Sequence, residues 1–583
     1  MIFQASPERE RLYLAAIGAL AGLALWFLVV RLADLTESRR LVLALVALVG
    51  GFFLLLLTSW GPLRGGQALK LATFTSLPAA GLLSWASLRH DEVGDFLASG
   101  HVVIAWLILL ALPVPFLIAA MRAGEGWRDY RALFGHAWNL AIRLLVAGAF
   151  VGLFWLLILL SDQVLQIVGL DMIERLLDLA PVPWLASGAM LGLGLAVVYE
   201  LRAYVSPFLA LRLLRLMLPL VLAVSALFLL AAPLRGLSNL FGALSPAALL
   251  MAMAGAALVL ITAVVDGDDT AAAKSRFLCL SARLMALLLV FLAALAALAI
   301  GQRVAQYGWS PTRLAAALLA AVLLGYGLAY ASAVLRGAGW MGRIRRANIA
   351  MALVTIALAG LWLSPILNAE RIAVNSQIAR FESGRIAPDA LDLWAIGHEW
   401  GRAGAAALAR LSAPQYPHSD ALAEPLARLA ASSSRWQWQR DANAAQTGET
   451  VGVLAAMIAT YPPGAKLPAS LPDSSIPAQE IVEACQRTTA AGNSGCLAWI
   501  ADFSPAQTGA EILLLWLDET GRTRWHATSA QGAPLFSYSS REGHDGGFGA
   551  NLIDQIIAGR LRLDVGAGNF LLIGESLIWL KEN

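Results

Sequence analysis

From Leu12 to Leu367 the apolar residues fall into runs close to twenty residues long, separated by short polar or basic connections. A helix of that length crosses about 30 Å of hydrocarbon. The pattern predicts about eleven transmembrane helices, over 12–30, 41–60, 71–88, 102–121, 143–161, 184–200, 214–234, 246–265, 283–300, 314–335 and 347–367. The sixth is the weakest, because Pro181 and Pro183 crowd its start and Glu200 closes it. The first run is long for a signal-peptide core and lacks a small-residue cleavage site, so it reads as a retained span.

The pattern changes around Trp340–Asn375. A basic loop with Arg343, Arg345 and Arg346 precedes the last apolar run, and Asn368 begins a polar region. Residues 368–461 show helical spacing, with helices expected over 371–382, 388–400, 404–412, 419–446 and 449–461. Residues 462–478 read as a Pro/Ser-rich linker. Residues 479–583 read as a small α+β module, with strands over 496–503, 511–518 and 522–529, a helix over 551–562 and a closing strand or hairpin over 569–581. The expected fold is an all-α polytopic membrane bundle, residues 1–367, followed by an α+β extramembrane region.

Composition agrees with this division. Hydrophobic residues make up 59% of the 583 and charged residues 14%, far from a soluble balance. The net charge of +3 is small and scattered, which argues against a nucleic-acid partner. Charge placement sets orientation. With the N-terminus inside, Lys and Arg in the inner connections outnumber those outside by more than two to one, although Arg31, Arg39 and Arg40 reverse the first pair. Arg343, Arg345 and Arg346 then fix the last crossing as outward. No ionisable residue falls near an expected midplane, which lowers the case for a proton-coupled carrier.

Smaller features refine the picture. Gly18 with Gly22, and Gly188 with Gly192, allow close helix approach and read as packing within the chain. Charges at Asp171, Glu174, Arg175 and Asp178 share one face of a helix expected to lie flat over 164–179. Trp127–Asn139 reads as an interfacial anchor on the opposite side. Cys485 and Cys496 are spaced to close a short disulfide loop if their compartment is oxidising, the alternative being reduced, buried thiols. Asp266, Asp268 and Asp269 resemble the start of a calcium loop, but Phe277 stands where its closing Glu belongs. His90, Asp91, Glu92, Asp95 and His101 form a polar loop better read as solvated than as a metal site, and His544–Gly547 reads as a polar turn. No nucleotide, nucleophile-elbow or zinc-peptidase motif occurs, so no cofactor is expected and the case for an enzyme is thin.

Several stretches resemble a known bacterial inner-membrane family. They are Tyr130–Asn139, leading into Phe154-Trp155; the loop Gln306, Tyr307, Gly308, Trp309, Pro311 and Arg313; and Asn375, Gln377, Arg380, Gly384, Arg385, Asp392, Gly401, Arg402 and Gly404. The chain is similar here, from about 120 to about 410, to the family called domain of unknown function 4153. The resemblance implies an inner-membrane protein with a C-terminal extramembrane region, which the charge count places in the periplasm. It supplies no catalytic residue or substrate. Read alone, the 306–313 loop suits an interface anchor. The expected function is a non-enzymatic envelope protein whose periplasmic part binds or helps assemble an envelope component, protein or lipid. The alternatives are a transporter or lipid-handling protein with a cavity between the spans and, more weakly, a membrane transferase.

Overall fold

The computed structural model describes residues 7–200, 207–235, 245–440, 453–454, 456–465, 478–501, 511–518, 521–529, 552–559, 564–565, 570–573 and 576–579. These form two compact units, Met1–Ala421 and Leu422–Asn583. The helical region expected over 368–461 therefore divides at Ala421, because its first part packs on the bundle and its later part does not belong to that unit.

Among the described residues of the first unit, ten helices are long and apolar enough to cross a bilayer. They include α1 (Pro7–Trp26, continued by a π turn at Phe27–Arg31), α2 (Arg39–Ser59) and the pair α5 (His101–Ala111) and α6 (Val114–Met121), which joins end to end. The helix between them, α3 (Gly65–Ser87), is 23 residues long and packs on α2, but Lys70 and several hydroxyl residues make it less apolar. α4 (Val93–Ala98) is a short turn before α5.

Two sequence expectations change next. The stretch Trp127–Asn139 is no separate anchor: from Tyr130 it is the start of the 38-residue α7 (Tyr130–Ile167), about 57 Å long. The flat helix expected over 164–179 is interrupted where Gly169 turns with φ +76°, leaving only the six-residue α8 (Met172–Leu177). Then come α9 (Pro181–Glu200), α10 (Pro207–Arg235), α11 (Pro246–Val265), α12 (Arg276–Tyr307) and α13 (Pro311–Leu335).

The glycines read as packing residues do pack within the chain. A Cβ at Gly18 would run into the carbonyl oxygen of Gly188, and one at Gly192 into that of Leu14, so α1 and α9 cross with backbones touching. α10–α13 bury a second apolar core around Leu218, Leu250, Met285, Leu289 and Tyr330. The last apolar helix, α14 (Trp340–Leu363), contacts both α13 and α5 and so joins the two halves. Arg343, Arg345 and Arg346 lie inside this helix instead of in a loop: Gly339, in the left-handed conformation, starts it upstream of them. Pro365 follows its end.

Helix ends gather at two faces. Arg11 meets Glu200 at the face near the N-terminus; Arg89, just beyond α3, meets the chain leaving α14 at the other. At this second face lie α15 (Ala369–Glu382) and α16 (Gly401–Leu411), which form a helical cap.

In the second unit, α17 (Ser419–Ala431, beginning just before the division) is followed by a break at Ser432–Ser434. A helix was expected to run on to Tyr461, but Ala459–Tyr461 is strand β1, pairing in parallel with β2 (Cys496–Ala501). Pairing to the sheet overrides local helical spacing there. Antiparallel pairing adds β3 (Glu511–Leu517) and β4 (Thr523–Ser529). The sheet is apolar on both faces because both are covered: α18 (Ala478–Cys485) packs on Ala498, Ile512 and Leu514, and α19 (Leu552–Ile557) on Leu497, Leu513 and Leu515. Cys485 and Cys496 are joined by a disulfide, Cα atoms 4.7 Å apart, tying α18 to β2. Asp554 holds the 489–493 turn, accepting from Thr489 Oγ1 (2.5 Å), Asn493 Nδ2 (2.7 Å) and the Ala491 N–H (3.3 Å). Strands β5 (Asp564–Val565), β6 (Phe570–Ile573) and β7 (Ser576–Trp579) form a second antiparallel sheet. The expected linker lies mostly outside the described residues, as does the turn at His544–Gly547.

Candidate functional site

The second face is organised around Arg89. Its Nη2 donates to the carbonyls of Trp362 (2.9 Å), Ser364 (2.6 Å) and Leu367 (3.1 Å), the exit of the last apolar helix. Its Nη1 lies 3.6 Å from Glu370 in the first turn of α15, and both side chains are buried. Burial pushes the Arg89 guanidinium below its ordinary value, and the Glu370 carboxylate partly offsets this. The Arg89 carbonyl accepts from the Arg402 N–H (2.8 Å). Gly401, at φ +53°, sits so close that a Cβ would collide with that carbonyl. Arg40 donates to the His90 carbonyl (2.6 Å), His90 Nε2 lies 3.3 Å from the Glu399 carbonyl, and Arg402 pairs with Asp91 (2.9 Å). His101 Nδ1 accepts from Trp362 Nε1 (3.2 Å). His90 and Asp91 of the polar loop thus hold the chain at the start of α16, while His101 meets the end of α14.

The 306–313 loop is the other half of the seam. Gln377 Nε2 donates to the carbonyls of Tyr307 (2.7 Å) and Trp309 (3.2 Å), and Arg380 to those of Ala305 (2.9 Å) and Gln306 (2.6 Å). Gly308 must be glycine in this arrangement: φ is +73°, and a Cβ would lie 2.8 Å from Gln377 Nε2. Pro311 opens α13, and Arg313 donates to the Gly308 carbonyl (2.9 Å). The loop read as an interface anchor also cradles α15.

Between α3, α15 and α16 the cap leaves a groove of about 640 Å³. Arg89, Arg371, Arg402 and Arg410 line it with Asn368 and Asn375, and among the described residues its lining has no carboxylate. Its large aromatic is Trp85, which is exposed beside Leu88. Arg402 has Asp91, and Arg410 has Glu382 at 3.6 Å. Arg371 is exposed with no carboxylate partner among the described residues. Among the described residues the lining holds no histidine, cysteine or hydroxyl, and the donors it offers suit an anion.

The first face is polar for a different reason. Arg215 pairs with Asp266, and Arg345 donates to the carbonyls of Asp266 (3.1 Å) and Val265 (2.7 Å) and to Asp269 (2.7 Å). The aspartates once compared with a calcium loop are engaged with arginines. Arg343 donates to the carbonyls of Ala333 and Gly337, closing the end of α13, and Arg346 is exposed. Thus two of the three arginines read for topology also lock helix ends.

Sequence reading missed Arg89, Glu370, Arg371 and Arg410. The available signal was Arg89 itself, an arginine in a connection on the side poor in arginine.

Fold and site together define a multi-pass helical membrane protein with a helical cap on one face. Residues 52–411 match the family model described as domain of unknown function (DUF4153), and the chain belongs to that family. The match begins well before residue 120, where the resemblance was first visible, and ends with α16. No curated protein and no solved structure matches the chain.

Proposed function

We propose that this is a bacterial inner-membrane protein, N-terminus cytoplasmic, whose cap faces the periplasm and binds the anionic headgroup of a lipid-borne envelope component. The observation that carries this reading is the groove: four lining arginines, of which Arg371 has no carboxylate partner among the described residues, beside exposed Trp85 and Leu88. Guanidinium groups suit phosphate and carboxylate oxygens, and an aromatic next to them suits the headgroup zone. Orientation rests on the charge count, with α3 as a crossing and eleven crossings in all. The Cys485–Cys496 bridge supports an oxidising compartment for the distal unit. The binding is non-enzymatic on this reading.

A second reading, lipid handling between the spans, is favoured by a cavity of about 760 Å³ between α1, α2, α5, α7 and α9. It is lined almost wholly by apolar residues such as Leu25, Phe53 and Trp184, which suits an acyl chain and not an ion.

The test is lipid selection by the full chain in phosphatidylcholine nanodiscs containing a minor fraction of phosphatidylglycerol. Wild type is expected to retain the anionic lipid, and the Arg371→Gln/Arg410→Gln double variant to lose about tenfold in selection. Equal selection by both proteins sinks the proposal.

A further inference from the structure

Arg143 is 6% exposed, yet no carboxylate neutralises it among the described residues. Residues 201–206, which continue the neighbouring chain, contain none in sequence. Its donors reach only the carbonyls of Thr58 (3.0 Å), Trp60 (3.3 Å) and Leu195 (3.5 Å), and its Nε has no partner. Carbonyls at the end of α2 orient the guanidinium and the Tyr199 ring, 5.2 Å from its central carbon, partly offsets the charge, but no anion neutralises it in this poorly solvated place. Beside it lies a cavity of about 220 Å³, lined also by Arg122, His136, Asn139, Thr58 and Tyr199. The nearby carboxylate, Glu125, is shared by Arg122 (3.2 Å) and His136 (2.6 Å). The cavity therefore carries a surplus positive charge, hydrogen-bond donors and too little room for a drug-sized molecule.

We propose that this cavity, at the face opposite the cap, binds a phosphate-type anion, with Arg143 and Arg122 as charged ligands and Asn139 as a neutral donor. The same chemistry serves a phospholipid headgroup or free inorganic phosphate. A headgroup is favoured by the setting, since α2, α7 and α9 line both this cavity and the apolar one above it. The site is independent of the arginine groove.

The experiment uses the full chain already carrying Arg371→Gln/Arg410→Gln, so that the cap groove does not report. Retention of phosphatidylglycerol over phosphatidylcholine is read by native mass spectrometry from nanodiscs. Thermal stabilisation by inorganic phosphate is read against chloride at matched ionic strength. Adding Arg143→Gln is expected to cut the response about tenfold. Arg122→Gln, at a half-exposed side chain, is the second variant and keeps the test sharp if Arg143→Gln fails to fold. Loss in the lipid arm identifies a headgroup site, and loss in the phosphate arm alone identifies a free-anion site. No anion response in the parent, or the same response after Arg122→Gln and any folded Arg143→Gln, overturns the proposal.

Discussion

Replacing Arg89 with alanine removes three hydrogen bonds to the exit of α14 and strands Glu370 in the seam. The side chains of Arg89 and Glu370 are 8% and 3% exposed, so solvent screening does little for either. Breaking a buried pair by deleting one member costs about 3–5 kcal/mol, chiefly because the remaining charge is left without a partner. Arg89→Ala should therefore weaken the hold on α15 by about that much. The assay is hydrogen exchange in the full chain, read over Ala369–Glu382 and compared with the core of α13. Exchange should accelerate over α15 and stay slow in α13. The double variant Arg89→Ala/Glu370→Gln should regain a large part of the loss, because no buried charge is then uncompensated. An Arg89→Ala effect below about 1 kcal/mol, or a double variant at least as damaged as the single, would refute the reasoning.

Two other outcomes follow from close contacts. Gly192→Val, whose side chain would meet the Leu14 backbone, should lower the thermal stability of the purified chain by at least the 1–3 kcal/mol typical of about one overpacked site; an unchanged melting temperature would contradict the α1–α9 crossing. Burial alone would raise Asp554, but Thr489, Asn493 and the Ala491 N–H outweigh it and hold the carboxyl below its ordinary range. Its contribution is thus present above the unfolded carboxyl value and is lost as pH falls through the lower folded value, so Asp554→Asn should flatten the acid limb of a stability profile of the distal unit. A profile of unchanged steepness would remove Asp554 from that account.

Apolar runs were readable because a bilayer imposes length and composition together. α3, diluted by Lys70 and hydroxyls, was legible as a helix but is not among the ten apolar enough to cross a bilayer. The strands 511–517 and 523–529 showed in their β-rich sequence and the turn between them. The cap was visible as helices, but not as part of the bundle's unit. That placement depends on Arg89 reaching carbonyls 273 to 278 residues away, and no local pattern encodes such a contact. Arg343 and Arg345 read as topology signals because their partners, Ala333 and Asp266, are uncharged or distant in sequence. β1 was missed for the same reason: three residues become a strand only beside β2. The groove combines Arg371, Arg402 and Arg410 from two helices with the buried Arg89 from a connection, and nothing local in the sequence marks the four as neighbours.

The central claim is that the last apolar helix runs outward and delivers the cap, and everything after it, to the periplasm. Paired reporters fused after Asn583 test it in intact cells, one active only in the periplasm and one only in the cytoplasm. The periplasmic reporter should be active and the cytoplasmic one silent. The reverse pattern would contradict the crossing count, the role given to Arg343, Arg345 and Arg346, and the placement of the arginine groove at the periplasmic surface.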